Sequence, residues 1–473
     1  MHTSAAVLSF EAIRTELGVP QQFPAEVLDD ARASVERGPQ YEHSRLDLPF
    51  VTIDPPTSMD LDQAVHIERS DGGYLVHYAI ADVAAFVRPD AAMDIESWKR
   101  GVTLYSPDTR TPLYPPQLSE NGASLLPDTD RPALVWAFTL DASGALTDVD
   151  LRRRVVRSIA KLSYAQVQDD IDGGSVHPSI EPLAQLGQIL VGQARDRGAI
   201  ELPIPDQEVS QGSDGAWRLS FRAQLPVERW NAQISLLTGR AAAQLMLTAG
   251  VGMLRTLPVP NEQAVARFRS VASSLGIAWQ PDVSPAEVLS TVDGSTPAEA
   301  AFIDEAASLL RGSGYTAFDA ASGDGPTAGE TAHAGVGAPY AHVTAPLRRL
   351  ADRYVNETCL AIHEGREIDG WARDRLSELP AAMSAGDRRD NELERACLDA
   401  AEAAVLSGQV GAVFDGVVVD IETGTSMNGT VLLGDLAIRA TCTGPNLALG
   451  KTVQVKVIRA DVATRTVRLE VAT

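Results

Sequence analysis

The chain reads as an α+β domain, mixed sheets surrounded by helices, preceded by a short helical segment and followed by a small all-β barrel. Three observations carry that reading. The run Phe50-Val51-Thr52-Ile53 is apolar and β-branched, as a buried strand is, and YLVHYAIADVAAFVRP from Tyr74 to Pro89 alternates in the same way. The stretch 226–247, PVERWNAQISLLTGRAAAQLML, opens on Pro and stays apolar for long enough to be a core helix. After Ser407-Gly408 the composition turns to β-branched residues with Gly turns, about five strands in all, which is the rhythm of a small closed barrel.

A length of 473 residues leaves room for several domains and a large core. No run is apolar enough to span a membrane, and the start MHTSAAVLSFEAIRTELG lacks a secretory layout. Cys359, Cys397 and Cys442 are widely spaced and fit neither a zinc site nor a disulfide framework, which points to a reducing, cytoplasmic compartment. The net charge of −23 excludes a protein that grips nucleic acid over a broad basic face. It leaves open an enzyme with basic groups along one channel and acids that hold cations.

Taken in order, residues 1–45 read as two helices. Ser9 caps the first, Phe10 to Leu17, and Pro24 opens the second, Ala25 to Arg37. Seven acids against four arginines argue for a pair packed on the main domain and against a helix-turn-helix. Next comes LPFVTIDPPTSMDLDQAV, Leu48 to Val65. The strand ends on Asp54, and Pro55 and Pro56 stop the ladder. Asp60 and Asp62 lie two apart, so in an extended chain they face one way while Leu61 faces the core. Three acids this close repel, and each raises the others' pKa unless a cation lies between them. A hard divalent cation with oxygen ligands, Mg²⁺ above all, resolves that. Taken alone, the pattern also fits a solvated Asx-rich turn.

The proline-rich segment Arg100 to Leu134 is expected to be irregular. Residues 135–160 read as two strands joined at Ser143-Gly144, and KLSYAQVQ at 161–168 begins a helix. Residues 312–338 read as a loop of small residues. In PYAHVTAPLRRLADRYVNE, 339–357, Pro346 fits the first turn of a helix, whose N-terminus would favour phosphate. RRDNELERA, 388–396, reads as helix. The C-terminal stretch 408–473 carries six acids, six bases and one aromatic, Phe414.

These stretches, in this order, resemble the ribonuclease II / ribonuclease R family, the RNB-domain exoribonucleases. There a TID strand precedes a D-x-D-D cluster that binds Mg²⁺. The match places Asp54, Asp60 and Asp62 as ligands, with Gln63 where the family usually has a fourth Asp. A Gln carbonyl ligates a metal but brings no charge, so one metal position is expected to be weaker. Tyr105 matches the aromatic that stacks on the last base, and Tyr164 a contact to the terminal nucleotide. The second signature resembles Y-x-H-x-T-S-P-I-R-R-Y-x-D, with Ala345 for Ser and Leu350 for Tyr. On that match Arg348 reaches the scissile phosphate, while Arg349 and Arg353 bind RNA backbone or pair with acids. His333 and His342 match structural positions, as does Asp82 in the IADV segment. Glu394 matches an active-site carboxylate or orienting residue. Asn231 and Gln233 stand where the family often has a glutamate pair that touches ribose. The C-terminal stretch looks like an RNA-binding OB domain of the ribosomal-protein-S-one type, of modest RNA affinity here.

The resemblance implies an N-terminal helical segment (1–45), an RNB catalytic domain (46–405) and an OB-fold domain (408–473), without the cold-shock domains usual in the family. It implies a processive, hydrolytic 3′→5′ exoribonuclease with one or two Mg²⁺ ions, or Mn²⁺, that releases nucleoside 5′-monophosphates. The expected partner is single-stranded RNA with a free 3′ end, preferred over DNA. The expected state is a cytoplasmic monomer with no membrane contact. Two rivals stand beside it: a non-catalytic RNA-binding member of the family, and a metal phosphohydrolase of small nucleotides, which the barrel disfavours.

Overall fold

The run Phe50–Ile53 is a wholly buried strand in the computed structural model, which describes residues 8–41, 44–213, 215–323, 325–422 and 427–472. Residues 1–7, Glu42, His43, Asp214, Asp324, 423–426 and Thr473 of the stretches discussed above lie outside them. The strand belongs to a sheet ordered Ser44–Arg45, Leu146–Leu162, Phe50–Ile53, Gln63–Ser70, Gly73–Ala81, Asp130–Asp141. Leu146–Leu162 is long enough to pair twice. Its first part runs antiparallel to Asp130–Asp141, and its last residues run parallel to Phe50–Ile53. The sheet therefore closes on itself. Inside lie Val51, Val65, Ile67, Val76, Tyr78, Trp136 and Phe138, all buried; each contributes about 1.5–3 kcal/mol by leaving water.

Helices surround this ring. Phe10–Glu16 is capped by Ser9 Oγ, which accepts from Ala12 N at 3.2 Å, and Ala25–Arg37 follows. Phe10, Ile13, Val27 and Ala31 join the main core, so the pair packs on the domain. Pro226–Ala249 buries Val227, Ile234, Leu237 and Met246 and stops at Gly250, whose positive φ of 74° suits the residue after a helix. Leu350–His363 is buried along nearly its whole length. Glu262–Leu275, Pro285–Leu289 and Pro297–Ala306 form a separate small cluster around Phe268 and Phe302.

The 28-residue helix Leu379–Leu406 leads to the C-terminal barrel. Strands Val413–Ile421, Asn428–Leu433, Ile438–Thr443, Thr466–Val471 and Thr452–Asp461 close in that order. Ala401, Leu406 and Leu219 share the barrel's own core, so the barrel is seated on the body. No described helix is long and apolar enough to cross a membrane.

Three local expectations are corrected. The proline-rich segment holds a hairpin, Leu104–Ser106 with Thr109–Thr111, because Pro107 falls in its turn and not in its ladder. Gly314–Asp319, inside the expected loop, pairs antiparallel with Val251–Thr256 and packs Phe318 inward. The helix of the second signature starts at Leu350, not at Pro346. Asp62 and Asp352 accept from Leu347 N and Ala345 N, both at 2.7 Å, and those bonds hold the residues around Pro346 as a turn.

Candidate active site

Strand register brings the first acid into place. Ile53 pairs with Leu162, and Asp54 N donates to Leu162 O at 3.1 Å, which sets Asp54 beside the start of the Tyr164–Asp172 helix. Tyr164 is half-buried there, and its side chain hydrogen-bonds that of Asn231. The Asp60-Leu61-Asp62 turn is pinned by Ser124, whose Oγ accepts from Leu61 N at 3.0 Å and donates to Met59 O at 2.6 Å. Leu61 is buried in the core. Asp60 pairs with Arg110, which also holds Glu120 at 2.8 Å.

Asp62 is the junction between the two signatures. It is 1% exposed. Its Oδ1 accepts from Leu347 N, and its Oδ2 accepts from Arg348 Nε at 2.6 Å. Burial pushes its carboxyl up to about 7 against the pull of Arg348. Burial likewise pushes Asp54 up to about 6, with Arg348 and Lys161 opposing and the charge of Asp60 adding. Gln63 donates its Nε2 to Thr344 O, a second tie between the signatures.

The two arginines of the second signature separate. Burial pulls the Arg348 guanidinium down, but Asp62, Tyr105 and Asp60 hold it above its ordinary value, and the side chain keeps 39% of its surface. Tyr105, on the hairpin, lies beside it with its hydroxyl bonded to the guanidinium. Tyr105 is 47% exposed, the one exposed aromatic among the described residues. Arg349 is instead bound by the buried Asp352, at 2.7 Å and 3.0 Å, the pairing with an acid that the resemblance allowed. Arg353 is buried on Asp94 at 2.6 Å, against the rings of both Tyr354 and Trp371. Asp82 pairs with Arg153, which in turn pairs with Glu357. His333 and His342 lie in an aromatic cluster with Tyr340 and Tyr315, and burial holds both imidazoles below their ordinary range.

Glu394 lies on an exposed face of the Leu379–Leu406 helix. It lines a cleft of about 510 Å³ against the barrel, with Arg395, Arg439, Arg465 and Arg468. The carboxylate on that helix that reaches the site is Asp390, one turn earlier, which accepts from the Tyr105 backbone N–H. Burial, then Glu394 and Asp387, push it up to about 6. Sequence reasoning missed Asp390 and Arg110. The signal for both lay in stretches already singled out, as an acid at i−4 from Glu394 and a cation five residues past Tyr105.

Among the described residues no three acidic, His or Cys side chains converge closely enough to hold a metal ion. Asp60 and Asp62 have arginines as counter-charges, Arg110 and Arg348, and of the expected ligands Asp54, Asp60, Asp62 and Gln63 the last is tied to Thr344 O. The donor set is still that of a hard cation: every ligating atom is oxygen, and burial disfavours the charge on two of the carboxylates.

The RNB domain family model matches residues 45–364, and the model of the RNase II-type exonuclease C-terminal S1 domain matches residues 412–472. Ribonuclease R of Vibrio cholerae is 28% identical over 468 residues, covering 90% of this chain and 54% of its own. Ribonuclease R of Escherichia coli is 27% identical over 419 residues, covering 83% and 50%. The chain thus spans about half the length of these curated relatives. Among solved structures, the apo form of Mycoplasma genitalium RNase R aligns with a TM-score of 0.85 at 20% identity, over 98% of this chain and 77% of that one. Yeast Ssd1, a pseudonuclease, aligns with a TM-score of 0.66 at 13% identity, over 92% and 53%. At these identities the structural likeness speaks for the fold.

Proposed function

We propose, for a chain that belongs to the RNB domain family and carries its RNase II-type S1 barrel, that it is a hydrolytic 3′→5′ exoribonuclease releasing nucleoside 5′-monophosphates from single-stranded RNA. The observation that carries this reading is the Asp62 junction. It brings Arg348 and the exposed ring of Tyr105 to one point beside two further acids, Asp54 and Asp60.

Each side chain has a task in this reading. Tyr105 offers its ring to the last base, a contact any base can make. Tyr164, fixed by Asn231, meets the terminal nucleotide from the Asp54 side. Arg348 has its Nε on Asp62, which leaves the Nη edge, next to the Tyr105 hydroxyl, for the scissile phosphate and its developing charge. Arg349 fixes the turn through Asp352 and does not touch RNA. Asp390 sets the Tyr105 hairpin from behind, and Glu394 lies too far along the helix face for the chemistry. Asp54, Asp60, Asp62 and the Gln63 carbonyl would hold Mg²⁺ or Mn²⁺ once Asp60 and Asp62 share their arginines. The bound cation supplies an activated water and offsets charge on the leaving 3′ oxygen. Residues 408–473 serve as an accessory RNA-binding domain, and the protein acts as a monomer.

The test is cleavage of 5′-labelled and uniformly labelled single-stranded RNA with Mg²⁺ or with EDTA, against a matched DNA strand. The expected result is Mg²⁺-dependent shortening from the 3′ end, 5′-monophosphates from the uniform label, and little action on DNA. The second reading, an RNA-binding protein without catalysis, is favoured by Gln63 at the fourth acid position and by the arginine-bound acids. RNA that binds and stays intact with Mg²⁺ or Mn²⁺ would establish it in place of the first.

A further inference from the structure

Arg110 stands between two carboxylates in different surroundings. It lies on the Thr109–Thr111 strand of the hairpin, directly across from Tyr105. Its Nη1 donates to Asp60 Oδ1, and its Nη2 pairs with Glu120 Oε1 at 2.8 Å. A guanidinium has enough donors in one plane to hold two acids at once. Asp60 is 8% exposed, and its charge reaches Asp54. Glu120 is more open, with 29% of its side-chain surface exposed, and Arg110 keeps 25%. Among the described residues Arg110 is the one ion-pair partner of each acid.

Glu120 is offered from a fixed position. It lies in the helical turn Leu118–Gly122, where Leu118 is buried and Ser119 Oγ donates back to Tyr114 O at 3.1 Å. On its other side Asn121 Oδ1 accepts from Arg131 Nη2 at 3.3 Å. A divalent cation at Asp60 meets Arg110 twice over, as a competitor for the same carboxylate and as a like charge beside it. An arginine released from a buried acid with no second partner would stand unpaired in a half-buried place, which is costly. Glu120 removes that cost, because Arg110 keeps a carboxylate when it leaves Asp60.

We propose that Arg110 and Glu120 form a charge latch on the cation site: Arg110 holds Asp60 until a divalent cation takes it, and Glu120 then retains Arg110. This rests on the reading of Asp54, Asp60 and Asp62 as cation ligands. Asp60 exchanges one positive partner for another, and Arg110 is left with a neutralising acid. Arg110 therefore sets the cation concentration at which the site fills. Glu120 is a positioning residue that acts on the site only through Arg110.

Titration calorimetry of the full chain with Mn²⁺, without RNA, tests this on the parent, Arg110→Gln, Glu120→Gln and the double variant. Arg110→Gln tightens Mn²⁺ binding about fivefold or more, because the competing charge has gone. Glu120→Gln weakens it about fivefold or more, because Arg110 then has Asp60 alone. The double variant matches Arg110→Gln, since Glu120 has nothing left to retain. A bare change in local charge would instead add the two effects and bring the double variant back toward the parent. Additive effects in the double variant, or parental affinity in both single variants, overturn the latch. Should Arg110→Gln not fold, Glu120→Gln decides: weaker Mn²⁺ binding supports the latch and parental affinity overturns it. Cleavage of labelled RNA by the parent with Mg²⁺ separates the two readings, since the latch can fail while cleavage persists. A parent that binds no Mn²⁺ overturns the latch together with the ligand assignment beneath it.

Discussion

Asp62 Oδ2 and Arg348 Nε lie 2.6 Å apart, and the two side chains face opposite ways: Asp62 is 1% exposed, while Arg348 keeps 39% of its surface. The acid is a fixed anchor and the arginine its presented end. Replacing the anchor with Asp62→Asn keeps an acceptor for Leu347 N but removes the charge that orients Arg348. Cleavage of labelled RNA is expected to fall by about a hundredfold or more, with RNA binding retained. Near-parental turnover in this variant would remove Asp62 from the mechanism.

Arg348→Ala separates stability from chemistry through pH. The carboxyl of Asp62 is already raised to about 7 by burial, and loss of the guanidinium removes the main influence that keeps it ionised. An unpaired buried carboxylate costs about 3–5 kcal/mol, whereas a protonated one needs no partner. The variant should therefore melt close to the parent at pH 5.5 and well below it at pH 8.5. Equal losses at both values would show that Asp62 does not depend on Arg348.

Tyr105 is exposed and bonded through its hydroxyl to Arg348, so its ring and its hydroxyl can be separated. Tyr105→Phe keeps the stacking face and should bind short RNA nearly as the parent does. Tyr105→Ala removes about 1–3 kcal/mol of base stacking, a loss of roughly five- to 150-fold in affinity. Equal affinities for the alanine variant and the parent would mean that no base stacks there.

The acids of the first signature were legible because their chemistry is local: a strand end, two prolines and a D-x-D turn are adjacent in sequence. What they pair with was not legible. Arg348 and Arg349 are neighbours of one residue type, yet one goes to Asp62 and the other to Asp352. The choice is made by the turn that holds Ala345 and Leu347, and Pro346 disguised that turn as a helix start. Asn231 and Gln233 look like one pair in the sequence, but a helix sends residues two apart to opposite sides: Asn231 meets Tyr164, and Gln233 faces a separate cavity. Asp390 was hidden behind Glu394 for the converse reason: both share one face, and only the position of the hairpin decides which acid Tyr105 touches. The barrel needed no such long-range information, since alternation and Gly turns specify its strands one at a time.

Gln63 donates to Thr344 O, so this position ties the first strand of the signature to the second-signature turn. Gln63→Asp removes the donor, strands that carbonyl at a cost of about 1–3 kcal/mol, and adds a carboxylate beside Asp62. Without divalent cation the variant should melt below the parent. With Mg²⁺ it should recover, and half-maximal activity should come at lower Mg²⁺ than in the parent. A Mg²⁺ titration that matches the parent in both Tm and activity would place Gln63 outside any ligand set.

Glu402 ties the barrel to the Leu379–Leu406 helix: Oε1 accepts from Gln207 Nε2 at 3.0 Å and from Arg439 N at 3.2 Å. It is 7% exposed, and burial raises its carboxyl from 4.5 to about 7. Because the folded-state pKa lies above the unfolded one, the folded chain binds the proton more tightly. The resulting stabilisation is fully present below about pH 4.5 and is lost as pH rises through about 7, an effect of about 3 kcal/mol. Glu402→Gln mimics the protonated form and keeps the Oε1 acceptor for both donors. Its Tm should match the parent near pH 5 and exceed it at pH 8, with the difference growing across pH 5 to 8. Parallel curves for the two proteins would show that Glu402 does not titrate on unfolding in that range.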